Sequence, residues 1–488
     1  MIASLIQIAV VCALTFTLIP AGVWREGARA ETTATASLLK FEGQDDDALA
    51  IVRRTDSAGR GADGKLPQLT SEEHMRRATV YFANRAFTEA REHWQTLITR
   101  YPTDQNVPAA LFSTGRSFFQ QQRYRDALPV FEELGLKHPQ TKDGRDGFYY
   151  VAPTLLRMNR PAEAAARYQA YLVQFPQGER IEDAHLNIID SLREAGRFAE
   201  AALWVTRTRE RFPNMPAETN ALFARLRLEM AGGNWQAAVR TSEDLRRAKF
   251  DRKVTTSPTE LSYLHAYSLE RAGSTEQAIK AYQAIPDGAN SYYGGLATAR
   301  LQTISGAAKQ IADARALRVR TELAAASSSY PVPYRESILR HTTARKVDPR
   351  LMLAIMRQES GFRPRAKSPA AARGLMQLTI DTAAKYASRA RLGNVQEEDL
   401  YRPDASIQLA SEYLAELAKM FPNLPEAVAA SYNGGEDNAA RWLRRALQPD
   451  PGVFTSEVGF AETKDYVAKV MSNYRAYREL YTNDLRRR

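Results

Sequence analysis

Apolar and polar positions in the first half of the chain follow a pattern that repeats every 37 residues. In each unit a small residue keeps the same phase, namely Ala90, Ala127, Ala164, Ala201 and Ala238. Three residues earlier stands an aromatic residue or a proline: Phe87, Tyr124, Pro161, Phe198 and Trp235. Each unit predicts two amphipathic helices, the second stopped by a proline twelve residues after the alanine, at Pro102, Pro139, Pro176 and Pro213. The alanine lets the paired helices approach closely, and we expect the aromatic residue to fill the space beside it.

A fixed period of this length is typical of an α-solenoid, and the pattern resembles tetratricopeptide repeats, whose usual unit is ~34 residues. We predict a solenoid over residues 71–290. A less regular pair covers 258–286, where Ala278 is out of phase with the other alanines. A helical linker over 291–330 connects the solenoid to the rest of the chain.

The break Y-P-V-P-Y at 330–334 marks the start of a C-terminal module, residues 331–488. In it, Asp348 and Pro349 predict a helix start. The apolar face of that helix is formed at i, i+3 and i+4 by Met352, Ile355 and Met356. Glu359 stands next on this face, where desolvation raises the pKa of a carboxyl group, as a general acid requires. The alternative is a glutamate at a helix end that pairs with Arg357 or Arg363.

Five short motifs accompany this glutamate in a fixed order. They are E-S-G-F-R-P at 359–364, S-P at 368–369, G-L-M-Q-L at 374–378, S-Y-N-G-G at 431–435 and F-A-E-T-K-D-Y-V at 460–467. Each is a weak signal alone, but together they resemble the soluble lytic transglycosylase family. The resemblance implies an all-α chain in which a mainly helical, goose-lysozyme-like catalytic domain follows the tetratricopeptide-like solenoid.

The resemblance also implies a function and a site. The function is cleavage of the β-1,4 bond between MurNAc and GlcNAc in peptidoglycan, with 1,6-anhydroMurNAc ends as the product. Glu359 falls on the family's catalytic acid/base, which acts with help from the substrate's own N-acetyl group and without metal or cofactor. Six further positions are implied in substrate binding: Ser368, Met376, Gln377, Tyr432, Asn433 and Glu462. Met376 would form an apolar shelf under the sugar, and Tyr432 would hold the environment of the glutamate.

The sequence departs from the family pattern at four places. Ala371 stands where glycine is usual, Ser431 and Gly434 replace alanines, and Lys464 replaces arginine. None of these changes removes a side chain that does chemistry. Because Ala371 could alter a tight backbone approach, it puts substrate affinity in question more than activity.

Two other functions stay open on the sequence alone. In a lysozyme-type muramidase, water would attack instead of the sugar's own hydroxyl. In a glycan-binding scaffold, the module would bind without cutting, but the intact Glu359, Gln377 and Tyr432 argue against this.

The 488 residues carry a net charge of +11, spread along the chain rather than concentrated. Such a surface suits acidic partners, or it is solvated and has none. With the family resemblance, we expect peptidoglycan glycan strands as the partner, together with envelope proteins on the solenoid, and no nucleic acid.

The N-terminus predicts export to the periplasm. The chain has no charge over residues 2–23, and A-R-A follows at 28–30, so we predict a signal peptide over 1–30, or an uncleaved anchor. Valines before Cys12 argue against a lipid anchor. Since Cys12 is the only cysteine, cleavage would exclude disulfides, thiolate zinc sites and cysteine nucleophiles. The polar residues 31–70 predict a flexible linker.

Overall fold

The computed structural model describes residues 44–304, 306–447 and 450–488. Within these ranges the chain forms 23 α-helices and isolated β-bridges but no named strand, which confirms the all-α prediction. None of these helices is both long and apolar enough to cross a bilayer. The predicted signal peptide, Cys12 and residues 31–43 lie outside the described residues.

The solenoid consists of six helix pairs, in agreement with the sequence pattern. Their bounds are α2 Ser71–Ala83 and α3 Phe87–Arg100, α4 Val107–Gln120 and α5 Tyr124–Lys137, α6 Lys142–Arg157 and α7 Pro161–Gln174, α8 Ile181–Glu194 and α9 Phe198–Arg211, α10 Pro216–Ala231 and α11 Trp235–Arg246, and α12 Pro258–Arg271 and α13 Thr275–Gln283.

The repeated alanines explain how the pairs pack. All five are fully buried, and so is Ala278, which occupies the same fourth position of its helix. The turn inside each of the six pairs uses one residue in the left-handed region: Arg85, Gln122, Asn159, Gly196, Gly233 and Gly273. The aromatic expectation is confirmed for Phe87, which is buried, and wrong for Phe198, which is 47% exposed.

Helix α1, Gln44–Gly59, lies within the stretch 31–70 that was predicted as a flexible linker, and it corrects that prediction for residues 44–59. Leu49 and Val52 are buried against the first solenoid helices. At its C-terminal half Asp56 accepts hydrogen bonds from Arg77 and Tyr81. The polar composition was misleading because the apolar residues of α1 are few and depend on partners elsewhere in the chain.

The connecting region and the C-terminal module complete the chain. Two connecting helices are α14 Tyr292–Thr303 and α15 Ala307–Ala325. The module contains α16 Arg335–Arg345, α17 Pro349–Ser360, α18 Ile380–Ala387, α19 Pro403–Met420, α20 Pro425–Gly434, α21 Glu436–Ala446, α22 Pro451–Glu457 and α23 Ala461–Leu480. These helices share one hydrophobic core, in which α17 and α23 pack together.

The solenoid contacts the module along its length. At its N-terminal end Arg85 donates to Asp381 at 2.7 Å, and in its middle Arg441 of α21 donates to Glu194 of α8 at 2.9 Å. Near its C-terminal end Tyr263 donates to Asp450 at 2.9 Å. The module therefore lies against the solenoid at both ends and at the middle.

Candidate active site

Helix α17 presents Glu359 as the sequence predicts. Asp348 caps the helix by accepting the backbone N–H of Arg350 at 2.9 Å, and Pro349 occupies the first turn. The three apolar residues at i, i+3 and i+4 are fully buried. Glu359 is half-buried in the last turn, before Gly361 ends the helix with φ of 56°.

The surroundings of Glu359 keep its carboxyl group protonated near neutral pH. Burial raises its pKa to about 8, and the negative charge of Glu462 adds to this effect. Opposing both, the Tyr466 hydroxyl donates a hydrogen bond to Glu359 Oε1 at 2.6 Å. The alternative of an arginine pair is wrong, because Arg357 and Arg363 donate to the backbone carbonyls of Ser329 and Ser360.

Tyr466 is the hydrogen-bond partner of Glu359 that the sequence analysis missed. The sequence analysis assigned the role of holding the glutamate's environment to Tyr432. This residue lies near Glu359 and its hydroxyl donates to the Met376 carbonyl at 2.8 Å, so that role stays a prediction. Burial and the nearby Glu359 raise the pKa of Tyr432 well above its usual value, so this phenol stays neutral. The available signal was spacing: Tyr466 follows Glu462 by one helical turn and so lies on the same side of α23.

Glu462 and Asn433 lie at the ends of the two helices beside Glu359. Glu462 is half-buried in the first turn of α23, and burial followed by the charge of Asp465 raises its pKa. Asn433 is exposed near the end of α20 and accepts a hydrogen bond from Thr463 at 2.6 Å. The geometry thus brings Glu462 close to Glu359 and ties Asn433 to the start of α23.

The 366–378 loop carries the other predicted substrate residues. Ser368 is half-buried and accepts the backbone N–H of Ala372 at 3.1 Å, which closes a tight turn. Gln377, also half-buried, donates from Nε2 to the carbonyls of Ala366 and Gly374, so its amide oxygen is left as an acceptor. Both side chains are therefore partly accessible and held in place by backbone groups.

Met376 does not present the predicted shelf. Its side chain is fully buried in the module's core, so in this structure it supports the site from below and offers no surface to a sugar. Its backbone carbonyl, which accepts from Tyr432, is the part that helps to shape the site.

Three of the four departures from the family pattern have local explanations. Ala371 is buried with φ of 58°, in the conformation that favours glycine. A Cβ atom on Gly434 would lie only 3.1 Å from Trp442, so the smaller residue fits there. Lys464 donates to Glu260 of the solenoid at 2.9 Å, and so joins α23 to α12.

We expect Tyr466→Phe to raise the pKa of Glu359 above its value of about 8, because the lost hydrogen bond favours the ionised form. The change should be roughly one pH unit, as suits one hydrogen bond to a charged group. Infrared difference spectra recorded as a function of pH measure this pKa from the carboxyl band of Glu359, which is identified by its absence in Glu359→Gln. Tyr474→Phe on the same helix is the control, since Tyr474 donates to Asp348 instead. An unchanged or lowered pKa in the Tyr466 variant would contradict the assignment.

Comparisons with known proteins find a family match for the solenoid and another for the C-terminal module. The family described as "Transglycosylase SLT domain" matches residues 336–451, and "Tetratricopeptide repeat" matches 75–136 and 152–216. A Haemophilus influenzae protein provisionally named soluble lytic murein transglycosylase is 40% identical over 134 residues, which are 27% of this chain and 22% of that protein. The soluble lytic murein transglycosylase of Escherichia coli K12 is 31% identical over 157 residues, or 32% of this chain and 24% of that protein.

The chain thus matches less than a quarter of the length of these two relatives. Among solved structures, an inactive mutant of the lytic transglycosylase Slt from Pseudomonas aeruginosa has a TM-score of 0.46 and 21% identity. That likeness covers 92% of this chain and 80% of the other.

Proposed function

We propose that this chain, which carries a transglycosylase SLT domain behind tetratricopeptide repeats, is a lytic transglycosylase of peptidoglycan. Its reaction would cleave the β-1,4 bond between MurNAc and GlcNAc and leave 1,6-anhydroMurNAc ends. The observation that carries the proposal is the placement of Glu359, whose half-buried carboxyl group accepts a hydrogen bond from Tyr466 at 2.6 Å. Burial at this position raises its pKa to about 8, so the group is protonated at neutral pH. The names of the two curated relatives support murein as the substrate class.

In the first step Glu359 acts as general acid. It donates its proton to the glycosidic oxygen while the bond from that oxygen to the anomeric carbon breaks. The N-acetyl carbonyl of the same MurNAc unit attacks the anomeric carbon, so no second carboxylate has to act as nucleophile. Tyr466 holds Oε1 at 2.6 Å and thereby orients the carboxyl group, with Oε2 carrying the proton.

In the second step the Glu359 carboxylate acts as general base. Its raised pKa makes it a stronger base than an exposed carboxylate, suited to take the proton of the sugar's C6 hydroxyl. The C6 oxygen then attacks the anomeric carbon and displaces the N-acetyl oxygen, which closes the anhydro ring. Glu359 ends protonated, as it began, and no water is consumed.

Ser368, Gln377, Asn433 and Glu462 are proposed to bind the glycan around this centre. We further propose that the protein acts in the periplasm, where its substrate lies, and that the solenoid also receives envelope proteins. The +11 charge of the chain suits a polymer whose stem peptides carry free carboxylates.

We expect Glu462→Gln to reduce kcat by about tenfold or less, well below the effect of changing a general acid. Because the charge of Glu462 raises the pKa of Glu359, its removal should also shift the alkaline limb of kcat/KM to lower pH. The pH profile of glycan cleavage tests both. A covalent glycosyl adduct trapped on Glu462 would contradict its role beside the acid.

Digestion of purified sacculi, followed by mass spectrometry of the released fragments, tests the proposed function. Fragments that end in 1,6-anhydroMurNAc are the expected result. Reducing MurNAc ends would identify a lysozyme-type hydrolase, and binding without release would identify a glycan-binding scaffold; either would overturn the proposal.

A further inference from the structure

Helix α1 is joined to the rest of the protein on two sides. Its buried Leu49 and Val52 and the carboxylate of Asp56 belong to the solenoid. On its other side, α1 contacts the C-terminal module: Arg53 donates to Glu397 at 3.2 Å, and Asp46 accepts a hydrogen bond from Lys367 in the 366–378 loop. The helix therefore bridges the first solenoid helices and the loop that carries Ser368 and Gln377.

Asp46 accepts three hydrogen bonds from the module. Its Oδ1 accepts from Lys367 at 2.9 Å and from Arg373 at 2.7 Å, and its Oδ2 accepts from Tyr401 at 2.7 Å. Burial alone would raise the pKa of Asp46, but these three donors outweigh it and lower the pKa to about 2. Asp46 is thus ionised throughout the neutral range.

Without Asp46, the side chains of Lys367 and Arg373 would be buried positive charges that lack a carboxylate partner. Arg373 is fully buried, and the Lys367 side chain is 8% exposed. Within the described part of the chain, Asp46 is the carboxylate that pairs with each of them. Because an uncompensated buried charge is costly, the loop needs this carboxylate to keep both cations inside.

Arg373 also organises the loop from within. Its backbone forms β-bridges with Lys367 and Leu378, and its side chain donates to the Ala371 carbonyl at 2.8 Å. These contacts define the turn that contains Ser368. A shift of Arg373 would therefore displace Ser368 and Gln377, the two half-buried side chains of this loop that are proposed to bind glycan.

We propose that Asp46 is a positioning residue for substrate binding: by neutralising Lys367 and Arg373 it fixes the 366–378 loop, and with it Ser368 and Gln377. The inference rests on the proposed function only where glycan binding is concerned. Asp46 lies more than 300 residues before the loop in sequence, so a segment outside the SLT domain match completes the site.

Steady-state cleavage of a soluble GlcNAc–MurNAc oligosaccharide by the full chain tests the proposal. Asp46→Asn should raise KM about tenfold and change kcat less than about threefold, the pattern of lost ground-state binding. Asp46→Glu, which keeps the charge, should recover part of the loss. Asp47→Asn, the same change at an exposed neighbour on α1, should behave as wild type. Equal KM values for Asp46→Asn and Asp47→Asn would overturn the inference.

Hydrogen exchange tests, independently of activity, whether Asp46 holds the 366–378 loop in place. In Asp46→Asn the amides of the 366–378 loop should exchange faster, while those of α23 keep their wild-type rates. Tyr401→Phe removes one donor without leaving a buried charge, and should show a smaller increase in the same loop. Unchanged exchange in the loop of both variants would overturn the role of Asp46, whether or not the protein cleaves peptidoglycan. If the wild-type protein cleaves no peptidoglycan but Asp46→Asn shows the expected faster exchange in the loop, the proposed function is rejected and the role of Asp46 in the loop stands.

Discussion

Glu359→Gln should lower kcat for glycan cleavage by ~10²–10⁴-fold, the usual contribution of general acid–base catalysis. The amide has nearly the shape of the acid and can still accept the Tyr466 hydrogen bond, but it cannot donate the proton to the leaving oxygen. Binding of sacculi should therefore persist. Glu276→Gln provides the control, because Glu276 is exposed on the solenoid helix α13, outside the C-terminal module. A Glu359 variant that keeps a tenth or more of the wild-type rate would contradict the mechanism.

The same substitution should stabilise the folded protein at alkaline pH. The pKa of Glu359 is raised from 4.5 to about 8 by burial, so the native state holds this proton where the unfolded state has released it. Wild type accordingly loses stability as pH rises from 4.5 to 8, and Glu359→Gln does not. Thermal melts should give the variant the higher Tm at pH 8 and equal values near pH 4. A lower Tm at pH 8 would indicate that burial is not what perturbs Glu359.

Glu457→Ala should lower the free energy of unfolding by ~3–5 kcal/mol, the usual cost of breaking a buried ion pair. Glu457 is 2% exposed at the end of α22 and accepts from Arg193 at 3.0 Å and Arg227 at 3.2 Å. Arg445 lies 3.2 Å from the same oxygen. Without this carboxylate, three buried guanidinium groups would remain between the solenoid and the module with too few anions.

Urea unfolding of full-length Glu457→Ala measures the loss, and Glu398→Ala, at an exposed site, should stay within ~0.5 kcal/mol of wild type. Burial would raise the pKa of Glu457, but the three arginines outweigh it and lower the pKa to about 2. The stabilising effect is therefore complete above pH 4.5 and disappears as pH falls towards 2. A difference from wild type below 1 kcal/mol at pH 7 would show that the interface does not depend on this carboxylate.

Local periodicity was sufficient to predict the helices but not their long-range contacts. The alanine spacing predicted the solenoid, and the apolar face of α17 predicted the burial of Glu359, because both depend on neighbours within a few turns. The sequence analysis placed Asp46 in a flexible linker, because its partners Lys367 and Arg373 are hundreds of residues away. Glu457 carried no sequence signal for the same reason.

Side-chain direction was the second limit. Tyr466 and Tyr432 both stand in quoted motifs, and only the packing of α23 on α17 decides which hydroxyl reaches Glu359. Met376 shows the converse, because a motif position cannot reveal that a side chain points into the core.

Digestion of purified sacculi in water enriched in oxygen-18 tests the central claim most directly. If Glu359 directs the sugar's own C6 hydroxyl to the anomeric carbon, the released MurNAc ends should be one water lighter than reducing ends and carry no label. Glu359→Gln should release such ends ~10²–10⁴-fold more slowly. Reducing ends that contain oxygen-18 would contradict the account. So would wild-type protein that binds the sacculi and leaves them undigested.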